Sequence, residues 1–219
     1  IPAPAEHIEG TKFPLLKLGG QTLLERAVSK LLATDSIKRV IVSTEDPEIA
    51  EHAIEVGAEV PLLRSRATVS PAVTFAAALA ELTGWLTREE CYEPDMIAVH
   101  YPHSPFLGPE HFEEAIDSML LFRTDSALAV VEDLTYHWKI GKAGLEPVGY
   151  QQRVVRQDKD LIFKEAGGLY LLRSSGLSDD EDLLHGKIGH IELSPNEAFR
   201  IYSSWEYKIA CQLAQCESD

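Results

Sequence analysis

Short β-branched runs and amphipathic helical runs take turns along this chain, and the alternation leaves few folds open. Arg39-Val-Ile-Val-Ser43 and Asp95-Met-Ile-Ala-Val-His100 read as strands buried on both faces, as in a parallel sheet. Ser126-Ala-Leu-Ala-Val-Val131, Gly168-Leu-Tyr-Leu-Leu172 and the short Ala58-Glu-Val60 read as three more. Between them, residues 22–32 carry apolar side chains at helical spacing, with Thr22 and Glu25 placed for a capping box. Asp46-Pro-Glu48 starts a second helix, with proline in the first turn and acids near its positive end, and Gly57 ends it. Residues 73–86, 109–121 and 203–215 complete the helical set. Strands joined through helices need crossover connections, which set the strands parallel and cover both faces of the sheet. The expected architecture is a single α/β domain, residues 1–219, built as an α/β/α sandwich on a mainly parallel sheet. Ligands of such sheets sit at the carboxyl ends of the strands, here the loops 2–18, 43–46, 64–73 and 100–108. From about 132 to 163 the pattern changes, and glycines with Tyr136, Trp138 and Tyr150 suggest an inserted antiparallel arm.

Composition narrows the partners. The 219 residues carry a formal charge of −15 and are 45% hydrophobic, the balance of a soluble globular protein. Such a chain has no general field for nucleic acid or an anionic membrane. No run approaches the roughly 20 apolar residues of a membrane span. Cys91, Cys211 and Cys216 lack metal-site or redox spacing, and no basic-then-apolar leader is visible, so a reduced, cytoplasmic setting is expected.

Three segments can carry chemistry. In the first loop, Lys12 and Lys17 with Leu18-Gly-Gly20 can cradle phosphates, although the spacing is not that of a P-loop; a plain surface loop is the alternative. His100-Tyr-Pro-His-Ser-Pro-Phe106 follows a buried strand, and its two prolines are expected to hold the backbone extended and aim His103 and Ser104. A stiff pocket wall fits that segment better than a metal site, since no third ligand stands near the two histidines. Arg153-Val-Val-Arg-Gln-Asp158, followed by Lys164-Glu-Ala-Gly-Gly-Leu-Tyr170, can grip a carboxylate or phosphate through paired guanidinium donors, or can be an exposed arm with surface ion pairs.

In order and spacing these pieces resemble the acylneuraminate cytidylyltransferases, the CMP-sialic acid synthetases, over nearly the whole chain. The resemblance is carried by Ile1-Pro-Ala3, Leu18-Gly-Gly20, Val42-Ser-Thr44, Glu48-Ile-Ala50, Gly57-Ala-Glu-Val-Pro61 and Leu63-Arg64. It continues through Pro102-His-Ser-Pro105, Asp125-Ser126, Trp138, Arg156-Gln-Asp158, Gly167 and Tyr170. It implies a nucleotide-diphospho-sugar transferase-like fold, a homodimer formed through the arm, and Mg²⁺ as cofactor. It also implies transfer of CMP from CTP to an acidic nine-carbon sugar, with release of pyrophosphate. On the nucleotide side it assigns Lys12, Lys17, Arg64 and Ser104, with Lys12 as the catalytic cation. On the sugar side it assigns Tyr101, His103, Arg156, Gln157, Tyr170 and His185.

The chain departs from the family's pattern at the phosphates and the metal. Pro4 stands in place of the loop arginine, with Glu6 and Glu9 where phosphate is expected to lie. Tyr101, Leu107 and Ala166 replace a Gln, an Arg and an Asn, and Leu184-His185 replaces an aromatic pair. Arg200-Ile-Tyr202 stands where the family holds Mg²⁺ through two aspartates, so the sequence names no metal ligand. A catalytically silent homologue, binding sugar or nucleotide or pairing with an active enzyme, is therefore the alternative to a working transferase.

Overall fold

A computed structural model describes residues 1–64, 75–142, 144–148, 162–177 and 183–216. Its main elements are α1 (Leu23–Leu32), α2 (Pro47–Glu55), α3 (Phe75–Glu90), β1 (Met96–His100), α4 (Pro109–Phe122) and β2 (Ser126–Glu132). After these come β3 (Trp138–Gly141), β4 (Gly144–Pro147), β5 (Phe163–Arg173), β6 (Ile188–Glu192) and α5 (Ser204–Cys216).

The helices begin where local chemistry says they should. Thr22 Oγ1 accepts the Glu25 N–H at 3.0 Å while the Glu25 carboxylate accepts the Thr22 N–H, the reciprocal cap expected for α1. The Asp46 carboxylate accepts from the N–H groups of Glu48 and Ile49, Pro47 opens α2, and Gly57 at φ +95 follows its end. Pro109 opens α4, which ends at Arg123 in the left-handed region. The third helix is seen from Phe75 on, residues 73–74 lying outside the described residues, and runs four residues beyond the expected end, to Glu90.

Four strands form a sheet in the order β6-β2-β5-β1. β6 and β2 are parallel, and β5 runs antiparallel to both β2 and β1, so β1, β2 and β6 share one direction. The expected strands at 39–43 and 58–60 are present as isolated parallel bridges, Pro2↔Ser43 and Ile41↔Glu59. The sheet is thus mainly parallel, with β5 as the reversed strand. Alternation along β5 explains the layers. Leu169 and Leu171 pack with Ala127, Ala129 and, from α4, Phe112, Ala115 and Met119; Tyr170 and Leu172 face the other way, toward Ile97, Val99 and Leu79 of α3. Helices therefore cover both faces. Sequence reading missed β6, an edge strand with a glycine inside it and only Ile191 buried, which leaves no apolar period to detect.

Within the expected arm, β3 and β4 form an antiparallel hairpin, while β5 begins at Phe163, at the far end of that segment. No helix among the described residues is long and apolar enough to cross a membrane.

Candidate active site

β1 ends beneath the residues that matter. Its last residue, His100, is buried with its ring edge-on to Phe112, and its Nδ1–H donates to the Gly168 carbonyl at 2.7 Å. Burial, opposed in part by that hydrogen bond, pushes the imidazole down to about 3, so His100 is neutral at physiological pH. The same carbonyl accepts the Tyr101 N–H at 3.3 Å. Gly168 can face the loop because it and Gly167 lie at φ +78 and +69, where β5 slips register against Leu128 and Val130 of β2. A Cβ at Gly168 would collide with Ser104, and one at Gly167 with the Arg200 guanidinium. The glycine pair thus makes room for two side chains from two other loops.

The loop itself is a turn rather than extended chain. The Ser104 N–H donates to the Tyr101 carbonyl at 3.1 Å, with Pro102 in the second position that proline favours in a β-turn. The turn stacks the His103 ring on Tyr101, centroids 5.0 Å apart, and buries Ser104 with its Oγ unpartnered among the described residues. Tyr101 meets Tyr170 edge-on at 6.1 Å, and His103 meets Tyr202 at 4.8 Å. These four rings form one wall. Burial raises the Tyr101 hydroxyl to about 12, helped by Tyr202 and Glu165; burial, then Arg200, lowers His103 to about 4. The Tyr170 hydroxyl is also raised, by burial and by donating to the Glu165 carboxylate. At neutral pH Tyr101, His103 and Tyr170 are therefore uncharged.

Arg200 and Tyr202 reach this wall from an extended stretch in which Ile201 points inward. Ile201 is 1% exposed among Leu18, Leu23 and Ala210, and its N–H donates to the His103 carbonyl at 2.9 Å. Its neighbours then share the opposite side, where the Arg200 guanidinium lies over the Tyr202 ring, 5.1 Å from the centroid. Sequence reading saw this pair only as a replacement for metal ligands. Its signal was the alternation of one apolar residue between two polar ones.

The cations assigned to the nucleotide are already paired. Lys12 Nζ sits 2.7 Å from both the Asp46 and Glu48 carboxylates, which raise its pKa. Arg64 Nη2 sits 2.9 Å from Glu45, whose other oxygen accepts the Ala5 N–H at 2.9 Å. Burial would raise the Glu45 and Asp46 carboxyls, but these partners outweigh it and hold both below their usual range. Sequence reading missed the three acids as partners because Glu45 and Arg64 are 19 positions apart and Lys12 and Asp46 are 34 apart.

The remaining assigned residues scatter. Lys17 is exposed in a short pairing of Lys17–Leu18 with Gln21–Thr22, its carbonyl accepting the Tyr207 hydroxyl at 2.6 Å. Glu6 and Glu9 are exposed, and Glu9 pairs with Lys208 of α5 at 3.6 Å. The His185 ring lies against Gly176 and its carbonyl accepts from Ser126, at the opposite end of β2 from its loop; Leu184 instead joins the cluster of Tyr101 and Tyr170. Arg156 and Gln157 lie outside the described residues. A cavity of about 650 Å³ opens elsewhere, between Ile1–Pro2 and β1 under α3, and none of the assigned residues lines it.

The order of strands, the helices on both faces and the loops gathered above the strand ends define the class of protein by architecture, a layered α/β fold. Two solved structures share the fold. One is CMP:2-keto-3-deoxy-manno-octonic acid synthetase complexed with CTP, at a TM-score of 0.70 and 15% identity, covering 98% of this chain and 96% of that one. The other is 4-diphosphocytidyl-2C-methyl-D-erythritol synthase from Anaerococcus prevotii, at 0.67 and 12%, covering 98% and 94%. The family model described as cytidylyltransferase matches residues 12–136, more than half of the sequence, and the chain belongs to that family. A CMP-N,N'-diacetyllegionaminic acid synthase from Legionella pneumophila is 22% identical over 187 residues, covering 83% of this chain and 79% of its own. The resemblance read from the motifs is borne out.

Proposed function

We propose that this protein transfers CMP from CTP to an acidic nine-carbon sugar. In this reaction the sugar hydroxyl oxygen bonds to the α-phosphorus, the bond to the β-bridging oxygen breaks, pyrophosphate leaves and the hydroxyl proton passes to water. Family membership supports the nucleotide half, and the similarity to the Legionella CMP-N,N'-diacetyllegionaminic acid synthase supports an acidic sugar. The observation that carries the reading is the gathering, above the ends of parallel strands, of two cations and an aromatic wall from separate loops. Lys12 and Arg64 hold the triphosphate by exchanging their carboxylate partners for phosphate oxygens. Ser104 donates to it, and Tyr101, His103 and Tyr170 receive the sugar. Arg156 and Gln157 are assigned to the sugar by the motif alone.

Among the described residues the donor set does not fit a protein-held Mg²⁺. Among the described residues no three His, Cys, Asp or Glu side chains converge, Asp46 and Glu48 are engaged by Lys12, and Arg200 and Tyr202 stand in the sequence where the resemblance expects two aspartates. A hard cation needs carboxylate or similar oxygen donors. No step is therefore routed through a metal.

The test is pyrophosphate release with CTP and a panel of acidic sugars, with and without Mg²⁺. Release with at least one sugar supports the reading; no release and no CTP binding overturn it. The prior pairing of both cations favours a second reading, a silent homologue, which CTP or sugar binding without turnover would establish. We also propose that the hairpin mediates a homodimer, since Ile140 is 90% and Leu145 69% exposed on it. Sedimentation should give a dimer that Ile140→Glu converts to monomer.

A further inference from the structure

We propose that Arg200 is an oxyanion-binding residue of this site, supplying a fixed positive charge that faces the aromatic wall, so that the anionic ligand is held there without a divalent cation. The inference rests on the reading of this loop cluster as the nucleotide and sugar site.

The argument is one of charge and room. Lys12 and Arg64 are each neutralised by acids, whereas Arg200 has no carboxylate partner among the described residues. Its guanidinium is half-buried, laid across Tyr202 and fitted against Gly167, where any Cβ would collide with it. A partly desolvated guanidinium without a counter-ion is a strong site for a carboxylate or phosphate, which it meets through paired N–H donors. Among the described residues, His103, which shares the Tyr202 ring with Arg200, is neutral, Glu165 is engaged by the Tyr170 hydroxyl, and the Glu206 carboxylate accepts from the Tyr202 N–H and the Ser203 hydroxyl. Among the described residues, an anion entering here thus finds a cation without an acid partner, ring faces for the apolar side of a sugar, and no cluster of metal donors. Both a sugar carboxylate and a nucleotide phosphate present this chemistry.

The test titrates CTP and, separately, N-acetylneuraminic acid into the full chain in EDTA, for the unaltered protein, R200Q and R200K. R200Q should lose about ten- to a hundredfold in affinity for one ligand, as expected for a charge-assisted contact, and R200K should recover part of it. The ligand affected tells carboxylate from phosphate. Unchanged affinity for both ligands in R200Q overturns the proposal, and so does binding that requires Mg²⁺. A readout without substitution is phenylglyoxal modification of Arg200, followed by peptide mass spectrometry. Pyrophosphate or N-acetylneuraminic acid in EDTA should slow it, and no protection by either overturns the proposal. If neither CTP nor the sugar acid binds but pyrophosphate still protects Arg200, the transferase reading fails and the oxyanion site stands. If R200Q turns over CTP and sugar as the unaltered protein does, the transferase reading stands and this one falls.

Discussion

Two sides of one loop cluster handle positive charge in opposite ways. On the side built from the first loop and residues 44–64, Lys12 and Arg64 are bound by Glu45, Asp46 and Glu48. On the side built on β1, β5 and the stretch before α5, Arg200 lies against the Tyr202 ring and has no acid partner among the described residues. The first side is stable without ligand and must give up ion pairs to accept one. The second is open to an anion and is held in place by packing. A binding site can therefore keep its cations while making some of them conditional, and net charge alone does not show which.

The contrast can be broken at its support. Phe112 is 1% exposed and packs under His100, so Phe112→Ala should cost about 3–5 kcal/mol in urea unfolding and weaken anion binding at the aromatic side. Affinity unchanged per folded molecule would mean the wall does not depend on this packing.

pH separates the sides next. His100 has a folded pKa of about 3 against an ordinary 6.5, so the unfolded chain binds more protons between those values and stability falls as pH drops through that window. From pH 7 to pH 5 this amounts to about 2 kcal/mol. The depressed Glu45 and Asp46 carboxyls contribute stability present above the ordinary carboxyl range, lost only as pH falls through their lower folded values. Urea midpoints that stay flat from pH 7 to pH 5 would refute the assignment of His100 as a buried neutral group.

Smaller effects probe the paired side. Glu45→Gln leaves Arg64 without its counter-charge in a place where both side chains are 13% exposed, and should destabilise by about 1–2 kcal/mol while raising affinity for pyrophosphate. Lower pyrophosphate affinity would show that Glu45 positions Arg64 rather than masking it. Glu48 is 65% exposed, so Glu48→Ala should change stability by less than about 0.5 kcal/mol, read from the same unfolding curves. A larger loss would mean that Lys12 relies on this pair as well as on Asp46.

How much of this was legible beforehand differs by element. The starts of α1, α2 and α4 were readable because a cap acts over three or four residues, as Thr22 with Glu25 and Asp46 with Ile49 show. The buried strands β1 and β2 were readable as apolar runs, whereas edge strand β6 offered no such run. Of the residues assigned to the candidate site through motif and spacing, Lys12, Arg64, Tyr101, His103 and Tyr170 lie in the loop cluster or along its wall. His185 shows the limit of that method, since neighbouring Leu184 takes the wall position and the histidine ring turns toward Gly176.

The amino-acid order alone determined the alternation of strands and helices, the caps, and therefore the layered α/β class, because those signals are local and repeat within a few residues. Only the tertiary structure decided which acid meets which cation and what stands free. Glu45 finds Arg64, Asp46 finds Lys12, and Arg200 finds the gap beside Gly167 through chain crossings that no local spacing encodes. Electrostatic partnership depends on distance in space and on desolvation, and both are settled only when the sheet brings its loops together.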